Sequence, residues 1–529
     1  MLVPIGALLL LYLHRRHGLP ATAGWPWPVG GTVVALVLLK LAVSGRAVRA
    51  PRWIGGLSLT LPLFLVGLFE LIGQDPVVVK PRTGAAATDR PSVLLLTWDT
   101  VRADTLPLYG GGGLDMPELA RLASEGVVFD DFQSVASITA PAHASMLSGL
   151  YPPSHGLRAN GESLLTEGLP LLPVLLDQAG YATGAFVSGY PIRSGFGFAE
   201  GFQHFDGRSD AGLVDTLWEL CRFSSYLLRE LLPEQVRSRY TVPGALTVER
   251  AIQWFERQEG PTFLWVHLFD AHGPYAPPAR FREAALARRE EGPHALAPEL
   301  EENVVLQRGE IAWLDALLGQ LRGSLERRDP GLEETLIVLV ADHGECFGEG
   351  GLLENHEASL FEATQRVPAV VRLPSSFPGA RRGVRLATPA SHVDLAPTIA
   401  ELTSLPPIPA AQGRSLMPAL AGDGSATLPE LGRYMEAYQR RLGDQRLSGW
   451  VKDGWKAAWA LDGTAALFHV GSGDRDLAAE RPEVLEELLR EGRAFLESLP
   501  LRGNAGMDLD QEERHALQHL GYLEAGEED

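Results

Sequence analysis

Two acidic residues and a histidine stand just past the ends of apolar runs, and a threonine lies between them in the chain. Ser92–Trp98 is followed by Asp99, and Leu336–Ala341 is followed by Asp342 and His343. Such runs read as buried strands, and open α/β sheets place their active sites at the carboxyl ends of their strands. Two carboxylates and an imidazole gathered there are ligands for a divalent cation. The segment from Ser137 to Gly156 turns from polar to helical and carries Thr139, a hydroxyl available as a nucleophile. Metal ligands beside an activated hydroxyl are the parts of an ester-cleaving enzyme.

Positioning these groups requires a sheet with helical connections. Candidate strands are Ser92–Trp98, Ala182–Val187, Thr262–Phe269, Leu336–Ala341 and Val367–Leu373. Helical patterns fall at Met116–Glu125, Pro141–Leu150, Leu171–Ala179, Ala245–Arg257 and Glu299–Glu326. Their alternation predicts an α/β fold with a doubly wound sheet. Asp394 is expected to cap a further helix running to Leu402, with Pro397 in its first turn. Beyond residue 425 the pattern changes. Gly449–Lys456 and Thr464–Val470 predict short antiparallel strands, and helices are expected from Pro482 and Asp510. Residues 91–425 therefore read as a catalytic domain and 426–529 as a small α+β carboxy-terminal subdomain.

With 529 residues, 45% of them hydrophobic, the chain can bury a large core. Cys221 and Cys346 are its two cysteines, which excludes a disulfide framework, and Cys346 reads as a buried free thiol. The net charge is -20, yet residues 1–76 carry six basic and two acidic side chains, so the acidity belongs to the rest. An acidic body excludes nucleic acid as a partner, because binding it requires a basic face. An anionic substrate must be drawn in locally, by the cation and by histidines.

Residues 1–76 are expected to anchor the chain in a membrane through two or three apolar helices. Trp53–Ile72 approaches the roughly 20 apolar residues that span a bilayer. Gly30–Val43 is a second apolar run, and the shorter Leu2–Leu13 a third. Arg46, Arg49 and Arg52, between the second and third runs, should stay in the cytoplasm, which sends the catalytic domain to the extracytoplasmic side. Residues 77–90, with Pro81 and a run of alanines, read as a linker.

The motifs together resemble those of the sulfatase family. Thr139-x-Pro-x-His143-x-x-x-Leu147-Ser-Gly149-x-Tyr151-Pro-x-x-His155-Gly156 is similar to the signature Cys-x-Pro-x-Arg-x-x-x-Leu-Thr-Gly and what commonly follows it. The stretch from Phe263 to Pro278, with Asp270 and His272-Gly-Pro-Tyr275, resembles the family's His-x-Pro-Tyr block. Asp342-His-Gly-Glu-x-Phe-Gly-Glu349, then His356, then Arg366-Val-Pro368, resembles its metal-ligand block. Gly413-Arg-Ser-Leu416 and Leu520-Gly-Tyr-Leu523 are also similar, so the resemblance spans roughly residues 91 to 525. It implies the α/β/α sandwich of alkaline phosphatase and the sulfatases. It also implies a metal set of Asp99, Thr139, Asp342 and His343, with Thr139 at the mouth of a helix whose dipole favours negative charge. His143, one turn further on, would orient the Thr139 oxygen or touch the transferring group. His272 and His356 would bind nonbridging oxygens or protonate the leaving group. Arg102 and Asp270 would support them.

Departures from the family pattern bear on the chemistry. Sulfatases oxidise their signature cysteine to formylglycine, whose geminal diol releases sulfate by carbon–oxygen cleavage, and threonine cannot do this. Thr100 stands where the family has a second aspartate, and His143 where it has arginine; both changes weaken a calcium site. The remaining ligands resemble the single-metal site of membrane-anchored phosphoglycerol and phosphoethanolamine transferases. Mixed nitrogen and oxygen ligands favour zinc or manganese, with calcium a further option. Three readings follow: a hydrolase cleaving sulfate, phosphate or phosphonate esters through a covalent intermediate on Thr139; a transferase passing that group to a glycan or lipid; and a noncatalytic scaffold.

Overall fold

The computed structural model describes residues 77–84, 90–164, 167–208, 241–291, 297–357, 359–422, 428–439, 445–471, 473, 475–503 and 505–506. The apolar runs within residues 1–76, Cys221 and the helix expected from Asp510 lie outside these residues. Among the described residues, no helix is long and apolar enough to cross a membrane.

A nine-stranded sheet organises the molecule. In chain order its strands are β1 (Val78–Val79), β2 (Ser92–Trp98), β3 (Val127–Phe129), β4 (Ala182–Val187), β5 (His204–Asp206), β6 (Thr262–Leu268), β7 (Thr335–Ala341), β8 (Ala369–Arg372) and β9 (Val384–Leu386). Across the sheet they lie in the order β1-β5-β4-β6-β2-β7-β8-β3-β9. From β5 to β7 the neighbours are parallel, whereas β8 runs antiparallel between β7 and β3. β2, β6 and β7 are buried along both faces, as continuous apolar runs demand.

Alternation along the strands assigns helices to both faces. Thr97 of β2 pairs with His267 of β6, and both side chains meet His143 of the helix Thr139–Ser148. Gly184 of β4 pairs with Leu264, one residue out of phase with Trp265 and so on the opposite face. There it meets Trp254 of the helix Gly244–Phe255: a Cβ on Gly184 would lie 2.7 Å from the indole. The helices Pro117–Glu125 and Glu301–Arg328 flank that same layer. The sheet is thereby covered on both sides, as its apolar strands require.

Several expectations shift. The run expected as one strand from Gly449 to Lys456 is a hairpin, because Asp453 and Gly454 both adopt positive φ, 51° and 76°. That turn joins Gln445–Lys452 to Trp455–Ala460 in a four-stranded antiparallel sheet with Arg433–Gln439 and Ala465–His469. Asp394 is not the cap itself. Ser391 caps a short 3-10 turn, His392–Asp394, that leads into the helix Leu395–Leu402, and the Asp394 carboxylate reaches back to the Ser391 N–H. Three-residue strands such as β3, β5 and β9 are too short to carry a periodic signal.

The helix Pro482–Ser498 covers the four-stranded sheet, where Gly492 admits both Trp450 and Trp459. Val135, Tyr151 and Val393, from connections of the larger layer structure, join Tyr434, Trp450 and Leu467 in a second core, so this sheet packs against those connections. The Glu436 N–H donates to the Val135 carbonyl, Arg158 pairs with the Glu436 carboxylate, and the buried Lys456 ammonium lies 2.6 Å from Glu362.

Replacing Gly184 by valine forces the Trp254 indole out of its seat. The expected outcome is about 1–3 kcal/mol of destabilisation, read as a lower midpoint in denaturant unfolding. An unchanged midpoint would show that this contact does not constrain the helix layer.

Candidate active site

Parallel pairing sets the two acidic residues level. Trp98 lies opposite Ala341, so Asp99 and Asp342 leave the ends of β2 and β7 side by side. The Asp99 N–H donates to the Leu268 carbonyl (3.0 Å) and the Asp342 N–H to that of Trp98 (3.1 Å), which fixes both backbones. Thr100 turns into positive φ (53°), and its hydroxyl donates to the Ala271 carbonyl at 2.8 Å. It adds no oxygen to the site. Its N–H donates to Asp342 Oδ1 (3.3 Å), as does that of His343 (2.7 Å).

The nucleophile candidate opens its helix two residues earlier than expected: Thr139 is the first residue of Thr139–Ser148. Free N–H groups of that first turn, with the helix dipole, favour negative charge on its oxygen. Thr139 Oγ1 donates to Asp99 Oδ2 at 3.4 Å and lies 3.3 Å from His343 Nε2. His343 Nδ1 is 3.0 Å from the Gly344 carbonyl, which can only accept, so the proton sits on Nδ1 and the Nε2 lone pair faces inward. Asp342 Oδ2, 3.7 Å from that nitrogen, and Asp99 Oδ1 are buried without a hydrogen-bond partner among the described residues. One carboxylate oxygen from each of Asp99 and Asp342 and a ring nitrogen of His343 lie within 4.8 Å of one another. These orphaned oxygens and the inward lone pair fit a divalent cation, with Thr139 beside it.

Without a cation the electrostatics are adverse. Burial pushes the Asp99 carboxyl up to about 8, offset in part by His356 and the Thr139 hydrogen bond. Burial, and then the charge of Asp99, hold Asp342 well above the usual carboxylate range. His343 is held well below the usual imidazole range by burial and then by His356.

The remaining histidines divide into two groups. On one side His272 stacks on Phe269 (4.3 Å between ring centres) with its Nδ1 2.7 Å from the Gly273 carbonyl, which leaves Nε2 for other partners. His356 stacks on His343 (4.6 Å) and meets the edge of His272 (5.4 Å). Burial alone would keep His356 neutral, but Glu345, 3.0 Å from its Nδ1, and the charges of Glu357 and Asp99 together outweigh burial and raise it to about 9. Arg102 secures this segment through Glu349 and the Glu345 carbonyl, while Asp270 accepts the Gly244 N–H of the next helix.

His143 lies on the other side, beneath the pocket. Its Nδ1 is 2.8 Å from the Thr139 carbonyl and its Nε2 3.1 Å from Thr97 Oγ1, so the ring faces the sheet rather than the Thr139 hydroxyl. With it stands His267, which the sequence reading passed over, its Nε2 3.2 Å from Asp99 Oδ2. A single histidine in an apolar strand reads as packing; the signal was its alternation, in register with Thr97 and two residues short of Asp99 on the same face.

A doubly covered sheet with strand-end carboxylates, a helix-mouth hydroxyl and flanking histidines defines an ester hydrolase of the alkaline phosphatase superfamily. Residues 91–405, more than half of the chain, match the sulfatase family model, and the chain belongs to that family. It is 26% identical over 383 residues to the choline-sulfatase of Rhizobium meliloti (strain 1021), covering 63% of this chain and 72% of the relative. Mouse (Mus musculus) steryl-sulfatase is 26% identical over 478 residues, covering 71% and 72%. The phosphonate monoester hydrolase of Agrobacterium radiobacter superposes with a TM-score of 0.59 at 21% identity, covering 77% of this chain and 96% of that one, a likeness of fold.

The raised Asp99 carboxyl has a stability consequence in chelator-treated protein. Between its unfolded value of 3.8 and about 8, the unfolded chain is ionised while the native one holds the proton. The penalty therefore grows with pH and is complete above about 8. Asp99→Asn should raise the metal-free melting temperature at pH 8 and raise it less at pH 5, as read by calorimetry. An equal effect at both pH values would refute this origin.

Proposed function

We propose that this sulfatase-family hydrolase is metal-dependent and works through a covalent intermediate on Thr139, cleaving phosphate or phosphonate esters in preference to sulfate esters. The observation that carries the reading is Thr139 Oγ1 at a helix mouth, 3.3–3.4 Å from His343 and Asp99, beside two buried and unpaired carboxylate oxygens. Asp99, Asp342, His343 and Thr139 would hold the ion, with zinc or manganese favoured by the mixed donors. When bound, the cation lowers the hydroxyl pKa and neutralises charge on the transferring group.

The chain's own residues supply the rest. The Thr139 proton has Asp99 Oδ2 as its first acceptor, and the freed oxygen attacks phosphorus or sulfur. His356, held cationic by Glu345, binds nonbridging oxygens, and His272 protonates the leaving oxygen. Water then attacks the same central atom. Threonine has no geminal diol, so release must occur at that atom, an ordinary step for a phosphorylated hydroxyl and a harder one for a sulfated hydroxyl. Choline-sulfatase and steryl-sulfatase among the relatives, and the phosphonate monoester hydrolase fold, support testing both kinds of ester.

The same reading places the protein in a membrane through residues 1–76, with the catalytic domain extracytoplasmic and its anionic substrate free or carried on a glycan or lipid. The apolar runs of that segment also favour a second reading, transfer of the covalently held group to a lipid or glycan acceptor.

Aryl sulfate, phosphate monoester, phosphate diester and phosphonate substrates, assayed with zinc, manganese or calcium, test the proposal. Turnover should require metal, favour phosphorus over sulfur, and fall at least about 10³-fold in Thr139→Ala. Undiminished turnover in that variant would overturn the nucleophile. Metal binding without turnover on any ester would move the reading to transfer.

A further inference from the structure

The hydrogen-bond arithmetic around Thr97 fixes the state of a histidine that the proposed metal set leaves out. A threonine hydroxyl has one hydrogen to give and two lone pairs to receive. Thr97 Oγ1 faces Trp265 Nε1 at 3.2 Å, His143 Nε2 at 3.1 Å and His267 Nδ1 at 3.0 Å, with the Val266 carbonyl further off at 3.5 Å. The indole nitrogen only donates. His143 Nδ1, 2.8 Å from the Thr139 carbonyl, must carry a proton, so the buried neutral ring presents a lone pair at Nε2 and takes the hydrogen of Thr97. What remains for His267 is to donate from Nδ1. Its Nε2 is therefore a lone pair.

That lone pair is buried, makes no hydrogen bond among the described residues, and lies 3.2 Å from Asp99 Oδ2. Asp99 Oδ2 also faces Thr139 Oγ1 at 3.4 Å, so once the carboxylate is ionised the His267 lone pair has no hydrogen to receive and is open to a cation. Nitrogen and oxygen donors about 2.0–2.2 Å from one four- or five-coordinate ion sit roughly 2.8–3.6 Å from their neighbours. The Thr139–Asp99 and Thr139–His343 separations of 3.4 and 3.3 Å belong to the same range, and the His343–Asp342 separation of 3.7 Å lies just beyond it. His267, His143 and Asp342 each offer a ligand atom within 4.8 Å of one another, a group that shares Asp342 with the set of Asp99, Asp342 and His343.

We infer that His267 Nε2 is a further ligand of the cation held by Asp99, Asp342 and His343, giving a two-imidazole centre that selects zinc-class ions over calcium and magnesium. The inference rests on the proposed metal centre and adds to it. His143 and Thr97 act as positioning residues: they bind no ion but hold the proton of His267 on the nitrogen that faces away from it. This gives the histidine at the signature's arginine position a defined task. His143 cannot itself ligate through Nδ1 without giving up the Thr139 carbonyl.

The full-length chain, stripped with a chelator, is titrated with Zn²⁺ against a chromophoric competitor and with Co²⁺ by visible absorption. Wild type should bind one ion per chain. His267→Gln should weaken Zn²⁺ by at least about 100-fold and alter the Co²⁺ bands while leaving Ca²⁺ affinity within about threefold, and Thr97→Val should weaken Zn²⁺ by about 10–100-fold. X-ray absorption of the zinc-loaded wild type should count two imidazoles, a measurement independent of whether any variant folds. Unchanged Zn²⁺ affinity and Co²⁺ bands in folded His267→Gln, one imidazole in the wild type, or two ions per chain would overturn the inference. Failure of the wild type to bind any ion would instead overturn the metal centre on which it rests.

Discussion

Two buried carboxylates end neighbouring parallel strands, each with one oxygen that finds no hydrogen-bond partner among the described residues. Asp99 and Asp342 cannot both ionise there at modest energetic cost, and their unpaired oxygens are a standing electrostatic demand at the centre of the sheet. Much of the surrounding structure answers it. The Thr100 and His343 N–H groups satisfy one oxygen of Asp342, the Thr139 helix directs its positive end toward the pair, and five imidazoles lie around it. Such an arrangement is poor as a structural device and reasonable as a holder for positive charge.

The imidazoles differ because their second nitrogens differ. His343 and His272 each place Nδ1 against a neighbouring backbone carbonyl, which turns Nε2 away from that carbonyl. His356 has a carboxylate as partner and becomes a cation. His143 and His267 share one hydroxyl, which couples their tautomers. In the proposed reading one residue type supplies ligand, acid and oxyanion-binding functions, sorted by hydrogen bonds rather than by sequence position.

Legibility in the sequence followed the length scale of each feature. β2, β6 and β7 were readable because continuous apolar runs of seven residues leave few alternatives, and Asp99, Asp342 and His343 followed because they terminate such runs. The helix bearing Thr139 was readable to within a turn. β8 was readable as a strand but not as antiparallel, since direction is fixed by its partners and not by its own residues. The Gly449–Lys456 hairpin was hidden because the aromatic residues on either side of Asp453-Gly454 imitate one strand. His267 was hidden for a different reason: its importance lies in which atom of which neighbour it faces, a property of register.

The packing of Val135, Tyr151 and Val393 into the core of the four-stranded sheet also bears on the order in which the molecule can be completed. Val135, five residues after Asp130 and four before Thr139, packs with Tyr434, Trp450 and Leu467 and accepts a hydrogen bond from Glu436. These partners lie about 300 residues further along the chain, in a segment made near the end of synthesis at rates of roughly 5–20 residues per second. Until that segment emerges, the loop leading into the nucleophile's helix has no floor on that side. A nascent chain therefore carries Asp99, Asp342 and His343 well before the segment that packs against Val135 has been made.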